Sequence, residues 1–219
     1  MIANYNKQGD IYRVRGDLDE AEVSYRKALE EHLAHHDETG AANSFANLGL
    51  VYQARGDLDQ AKAMHQKALE AHLAQHNETG VAQSYINLGL VYQACANLDE
   101  AQAMYHKSLE IGEGLGDQQI LANACRNLGS IYQSRGRFGQ AEMMLRKALH
   151  LNETLGGGAE DIARDCADLA AVYESRGEFG HAQALYRRAL ALFRKIGTVS
   201  DIRRAEQALE ELAQHREGG

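Results

Sequence analysis

The chain has 219 residues, 31 of them acidic and 23 basic, giving a formal charge of −8 and an isoelectric point near 5.7. That balance argues against nucleic acid as a partner, because neutralising phosphates takes a basic face. It contains no Pro and no Trp, a helix former's composition, and no stretch has the apolar length of a signal peptide or a bilayer span.

Residues 11–50 and 51–90 are identical at 24 of 40 positions, a self-similarity that marks a repeat array rather than a single reaction centre. In chain order the units fall at about 2–40, 41–80, 81–120, 121–161 and 162–199, within one domain over 1–219. The second unit reads Asn47-Leu48-Gly49, Val51-Tyr52, Gly56-Asp57, Ala61 and Lys67-Ala68-Leu69, and the third and fourth return to it from Asn87 and Asn127. In each, the apolar residues keep a helical beat on both sides of a turn, so each unit is predicted to be two antiparallel helices. Small residues such as Gly49 and Ala61 let the pair cross closely. His65 and Leu145 take a slot held elsewhere by Tyr25, Tyr105 and Tyr186, and read as tolerated core variation.

The turns carry their own signals. Gly16-Asp17 with Glu20, and Gly56-Asp57 with Gln60, predict a left-handed residue followed by an N-cap and capping box. The third unit has Ala96-Asn97 with Glu100, so Ala96 is expected to carry strain of about 1 kcal/mol relative to Gly. The second helix of the second unit is expected to run on to His76. Gly156-Gly157-Gly158 reads as a flexible connector where the Tyr spacing lengthens from 40 to 41 residues. From about 200 to 215 a single amphipathic helix, with Ile202, Ala205, Leu209 and Leu212 on one side, is expected to cap the array.

Leu-Gly, Tyr, Gly, Ala, aromatic and Ala in this register resemble the tetratricopeptide repeat (TPR). The unit of 40 residues, against the usual 34, is similar to the longer repeats of kinesin light chain and of spindle-orientation adaptors. The resemblance implies an all-α, right-handed solenoid of about five helix-turn-helix repeats plus a C-terminal capping helix. It also implies a non-catalytic scaffold that receives an extended peptide in its concave groove. The family's Asn ladder maps onto Asn47, Asn87 and Asn127, with Lys7 and Asp168 in the matching places of the first and fifth units.

A helix that turns those Asn residues to the groove also presents positions four before and three and six after. These are Asn43, Leu50 and Gln53, then Gln83, Leu90 and Gln93, then Asn123, Ser130 and Gln133. Amides both donate and accept, which suits a peptide main chain. The expected peptide-binding set is therefore Asn43, Asn47, Gln53, Gln83, Asn87, Gln93, Asn123, Asn127 and Gln133, with Arg126 as the charged member. The remaining charges on this wall read as a solvated face. Arg15, Arg55, Arg135 and Arg176 precede the turn residue and read as complements to a helix dipole.

His32 and His36, and His72 and His76, have the spacing of two ligands on one helix, but nothing completes a tetrahedron and duplication explains the repetition. They are weak metal candidates, and no metal or cofactor is expected. Cys95, Cys125 and Cys166 share no metal-like spacing and suggest free thiols in the cytoplasm. No nucleophile elbow, phosphate loop or His-Glu-x-x-His motif is present, so no enzyme is expected. The alternative to a peptide-binding scaffold is a self-assembling repeat module, a homo-oligomer or a fragment of a larger signalling protein.

Overall fold

A computed structural model describes residues 4–217, with side chains as far as residue 214, and places eleven α-helices among them. Residues 2 and 3 of the expected first repeat lie outside the described residues. The helices pair in sequence: α1 (Tyr5–Arg15) with α2 (Leu18–Ala34), α3 (Glu38–Arg55) with α4 (Leu58–Ala74), and α5 (Glu78–Ala94) with α6 (Leu98–Leu115). Then come α7 (Gln118–Ser134) with α8 (Phe138–Thr154), α9 (Ala159–Ser175) with α10 (Phe179–Ile196), and the capping helix α11 (Val199–Glu217). These are helix-turn-helix repeats, and they form two compact units, Met1–Ile111 and Gly112–Gly219, divided inside α6.

Each turn within a pair closes on a left-handed residue. At Gly56 (φ 84°) the amide donates to Gln53 O at 3.1 Å, and Asp57 N donates to Tyr52 O at 2.9 Å. These bonds satisfy carbonyls that the end of α3 would otherwise leave unmatched. Ala96 adopts the same conformation at φ 60°, as expected, and carries the Cβ penalty that Gly avoids.

Two expectations about helix ends are corrected. Asp17 and Asp57 stand at N-cap positions but make no side-chain cap bond, so the capping boxes do not form there. The side-chain caps open the first helices of the pairs instead: Asp37 accepts from Gly40 N, Asn77 from Gly80 N, and Asp117 from Gln119 N and Ile120 N. The second helix of the second repeat does not run to His76. It ends at Ala74, and His76 turns left-handed at φ 52°, as His36 does at 55°. Gly116 and Gly156 hold the matching places, so the two His sit where the other repeats use Gly to reverse the chain.

Within each of the first four pairs, one ring or branched side chain lies over a Gly, where the fifth pair has Ala170. A Cβ on Gly9 would come 2.6 Å from Tyr25, on Gly49 2.5 Å from His65, on Gly89 2.4 Å from Tyr105, and on Gly129 2.6 Å from Leu145. At these four positions a Cβ would force the facing side chain or the helices to shift. The tyrosines also satisfy their hydroxyls: Tyr25 donates to Asp10 at 2.7 Å, Tyr105 to Gln93 at 2.9 Å, and Tyr186 to Glu174 at 2.9 Å. His65 is too short to do so. Both its ring nitrogens, and the Oε1 of Gln53 in the same slot as Gln93, are buried without a hydrogen-bond partner.

A second set of close contacts joins one repeat to the next. The rings of His32 and His72 fill the space that a Cβ on Gly40 and Gly80 would need, at 2.1 and 2.5 Å. In the next repeat the volumes are exchanged: the His slot holds Gly112, and the Gly slot holds Ile120, whose Cγ2 would be 2.9 Å from a Cβ on Gly112. Total volume is kept while its owner changes, the kind of exchange that packed cores tolerate.

Candidate partner-binding site

The amides singled out from sequence lie on the first helices of the pairs, on α3 and α5 in one unit and α7 in the other. Asn43 and Gln83 are exposed, and Asn47, Gln53, Gln93, Asn123, Asn127 and Gln133 are half-buried. Asn87 is nearly closed off at 6% exposure, and its Oδ1 accepts from Gln83 Nε2 at 3.2 Å. Gln93 spends its carbonyl on Tyr105. The half-buried Asn47 and Asn127 are therefore the ladder members best placed to meet a backbone from outside.

Arg126 belongs to a different structure. Its Nε donates to Asp165 Oδ1 and its Nη2 to Asp161 Oδ1 at 3.2 Å, while Asn152 Nδ2 donates to Asp165 Oδ2 at 2.6 Å. Asp165 is 0% exposed and the Arg126 side chain 15%. Burial pushes the Asp165 carboxyl above its ordinary range, and the Arg126 and Asn152 hydrogen bonds oppose that push. By the repeat register these three residues occupy the slots of Asn6, His32 and Ser44. There Asn6 Nδ2 lies 3.3 Å from His32 Nε2, and Ser44 Oγ donates to Asn6 Oδ1 at 3.4 Å. One polar triad thus pins the first repeat to the second, and a charged version pins the fourth to the fifth.

The arginines before the turns also do more than face a helix dipole. Arg55 reaches Asp19 at 2.5 Å and bonds Glu22, which takes the Tyr52 hydroxyl at 2.7 Å and Arg26 at 2.8 Å. Burial alone would raise the Glu22 carboxyl, but bonds from Tyr52, Arg55 and Arg26 outweigh it and hold it at about 2. Glu142 gathers Tyr173, Arg146 and Arg176 in the same way and is likewise held below its ordinary range. A further cation recurs on the second helix of each pair: Lys27, Lys67 and Lys107 lie over the rings of Tyr5, Phe45 and Tyr85, at 5.8, 5.4 and 5.1 Å. Where Cys125 and Cys166 replace the ring, Lys147 pairs with Glu113 at 3.3 Å and Arg188 with Glu153 at 2.5 Å.

The histidine pairs do not form a ligand set. His36 and His76 lie beyond their helix ends, His32 Nδ1 is 2.7 Å from Asp37 Oδ2, and His72 Nδ1 is 3.3 Å from Asn77 Nδ2. Among the described residues no three His, Cys, Asp or Glu side chains gather where they could hold a metal. Cys125 and Cys166 are buried free thiols, and burial pushes each up to about 11, far from a nucleophile's range.

Family models of the tetratricopeptide repeat match residues 1–74 and 80–154, and a second such model matches 166–196. The chain belongs to the tetratricopeptide repeat family. No curated protein sequence matches it. Among solved structures, BtubC (BKLC) from P. vanneervenii is similar at 26% identity and a TM-score of 0.72, over 86% of this chain and 78% of that one. The apo form of RapI aligns with a TM-score of 0.75 at 18% identity, over 89% of this chain and 70% of its own. Kinesin light chain TPR-like repeats from Podosopora anserina align with a TM-score of 0.66 at 18% identity, covering 89% and 96%. The last two likenesses concern the fold alone.

TPR repeats generally mediate protein–protein interaction, and the family is generally a non-catalytic scaffold. No described helix of this TPR protein is long and apolar enough to cross a membrane. What the repeat pattern did not expose is the set of carboxylates and amides that pin repeats together, Glu22, Glu142, Asn152 and Asp165. Each looks like an isolated departure from the pattern until its partner, some 13 to 39 residues away, is seen against it.

Proposed function

We propose that this TPR protein is a non-catalytic scaffold that binds an extended segment of a protein partner on the amide-bearing faces of its first helices. The observation that carries the proposal is the recurrence of half-buried Asn47 and Asn127 in one register, with Asn43 and Asn123 one turn before them. Side chains that both donate and accept can match a peptide backbone without reading its sequence. Asn87, Gln53, Gln83, Gln93 and Gln133 extend the face, while Arg126 is committed to Asp165 and holds repeats together. Free thiols at Cys95, Cys125 and Cys166 fit a reducing cytoplasm. Replacing Asn47 and Asn127 together with Ala should weaken binding of a partner captured from the host at least tenfold, with helicity and melting unchanged. Equal binding by the double variant would move the site elsewhere.

A second reading, self-assembly, is favoured by one feature. The first pair leaves Ile11, Val14 and Val23 exposed at 52%, 80% and 53%, apolar surface that a second copy could cover. Light scattering across a concentration series decides it, and a strict monomer would remove self-assembly from consideration.

A further inference from the structure

Between α9, α10 and α11 lies a cavity of about 400 Å³, within the range that encloses a small ligand or one long side chain. Its floor is apolar, made by Ala171, Tyr186, Phe193, Ala205 and Ala208. Its rim carries four carboxylates, Asp168, Glu174, Asp201 and Glu211, against two guanidiniums, Arg164 and Arg204. Both cations are already engaged, Arg164 with Glu160 at 2.5 Å and Arg204 with Asp201 at 3.8 Å. Glu174 takes the Tyr186 hydroxyl at 2.9 Å. Asp168 is left at the centre of the α9 wall, outside every hydrogen bond and ion pair of the described residues.

Resting on the partner-binding reading of the first-helix faces, we propose that this cavity takes a basic side chain of the protein partner, lysine or arginine. Its charged head would meet Asp168 and its aliphatic stem would lie on the apolar floor. Asp168 stands in the ladder slot that Asn127 fills in the preceding repeat of the same unit, so a segment lying on Asn127 would reach it next. With Arg164 matched to Glu160 and Arg204 to Asp201, the carboxylates of Asp168, Glu174 and Glu211 remain and make the site a cation's, and the absence of any three-ligand cluster among the described residues speaks against a metal ion. Burial pushes the Asp168 carboxyl up to about 6, a cost that an incoming ammonium or guanidinium relieves. The groups facing it are Arg126 on α7, which is itself held by Asp165 and Asp161, Arg164, Asp165 and Glu174 on α9, Tyr186 on α10, and Asp201, Arg204 and Glu211 on α11.

The test uses the whole chain and two small probes, Nα-acetyl-lysine methylamide and its uncharged isostere Nα-acetyl-norleucine methylamide, followed by NMR. The lysine probe should shift the Ala171, Ala205 and Ala208 signals and lower the midpoint at which the Asp168 carboxyl carbon titrates, and the norleucine probe should do neither. Asp168→Asn should reduce the lysine response at least fivefold, and Ala208→Leu, which fills the floor and leaves the charges alone, should reduce it as well. Equal responses to the two probes, no response to lysine, or a lysine response undiminished in D168N would each overturn the proposal. The Asn47→Ala and Asn127→Ala double variant should keep the full lysine response while losing the partner, so failure here and failure of the amide face are told apart.

Discussion

Residue 65 shows how a repeat tolerates a side chain that does not finish its job. His65 fits over Gly49 as Tyr105 fits over Gly89, yet it leaves three buried polar atoms unmatched, an arrangement that costs about 1–3 kcal/mol. His65→Tyr, placing a hydroxyl where Gln53 can accept it, should raise stability by about 1–2 kcal/mol in denaturant titrations at pH 7. Burial also holds the His65 pKa down at about 4, below its ordinary 6.5. The unfolded chain therefore binds the proton first, and stability present above pH 6.5 is lost as pH falls from 6.5 towards 4. The Tyr variant should lose that slope, and an unchanged slope would place the sensitivity in another group. Ala96 was legible from sequence because its neighbours in register are Gly. Ala96→Gly should add about 1 kcal/mol, read as a higher denaturation midpoint with unchanged slope.

At the scale of helices, Glu22 ties α2 to α3 through Tyr52 and Arg55. Its carboxyl, held at about 2 against an ordinary 4.5, contributes stability that is whole above pH 4.5 and lost as pH falls towards 2. After discounting for solvent screening this is about 1–2 kcal/mol, and Glu22→Gln should remove it, flattening acid unfolding over that window. The connection from α8 to α9 offers another test. Gly156 is left-handed at φ 63°, and Gly157 N donates to Asn152 O at 2.8 Å, but Gly158 at the N-cap has no side chain to cap α9. At the matching turn Asp37 caps Gly40. Amides from Gly156 to Ala159 should therefore exchange with solvent faster than those from Asp37 to Gly40. Equal protection would mean that the glycines only fit a fixed turn.

For the whole molecule, the repeat period and the helix pairs were legible because the same apolar slots recur at fixed spacing, and spacing alone dictates which face of a helix is buried. That the recurring amides lie on the first helices of the pairs was legible for the same reason. Helix ends were not: the Asp after a turn Gly looks like a cap, but Asp17 and Asp57 make no cap bond while Asp37 and Asn77 do. Joints between repeats were hidden more deeply. Period-based comparison sets Arg126 against Ala46, Asn152 against His72 and Asp165 against Ser84, one slot at a time, whereas the chemistry lies in three slots changing together.

That linkage governs how an array of this kind can lengthen. A tandem duplication of residues 41–80 would bring His72 against its own Gly80, with Ser44 of the second copy standing in for Ser84. The packing at the new seam is kept, but Lys62 takes the place of Glu22 opposite the copied Tyr52 and Arg55, so the enlarged protein should fold and gain ellipticity in proportion, with one ion pair fewer at the seam. A duplication of 121–161 would set Ala124 where Asp165 belongs, leaving Arg126 and Asn152 buried at a seam without their carboxylate. Inheritance can copy the near-identical early repeats at the loss of an ion pair, while the late ones can be passed on only with the neighbour they evolved beside.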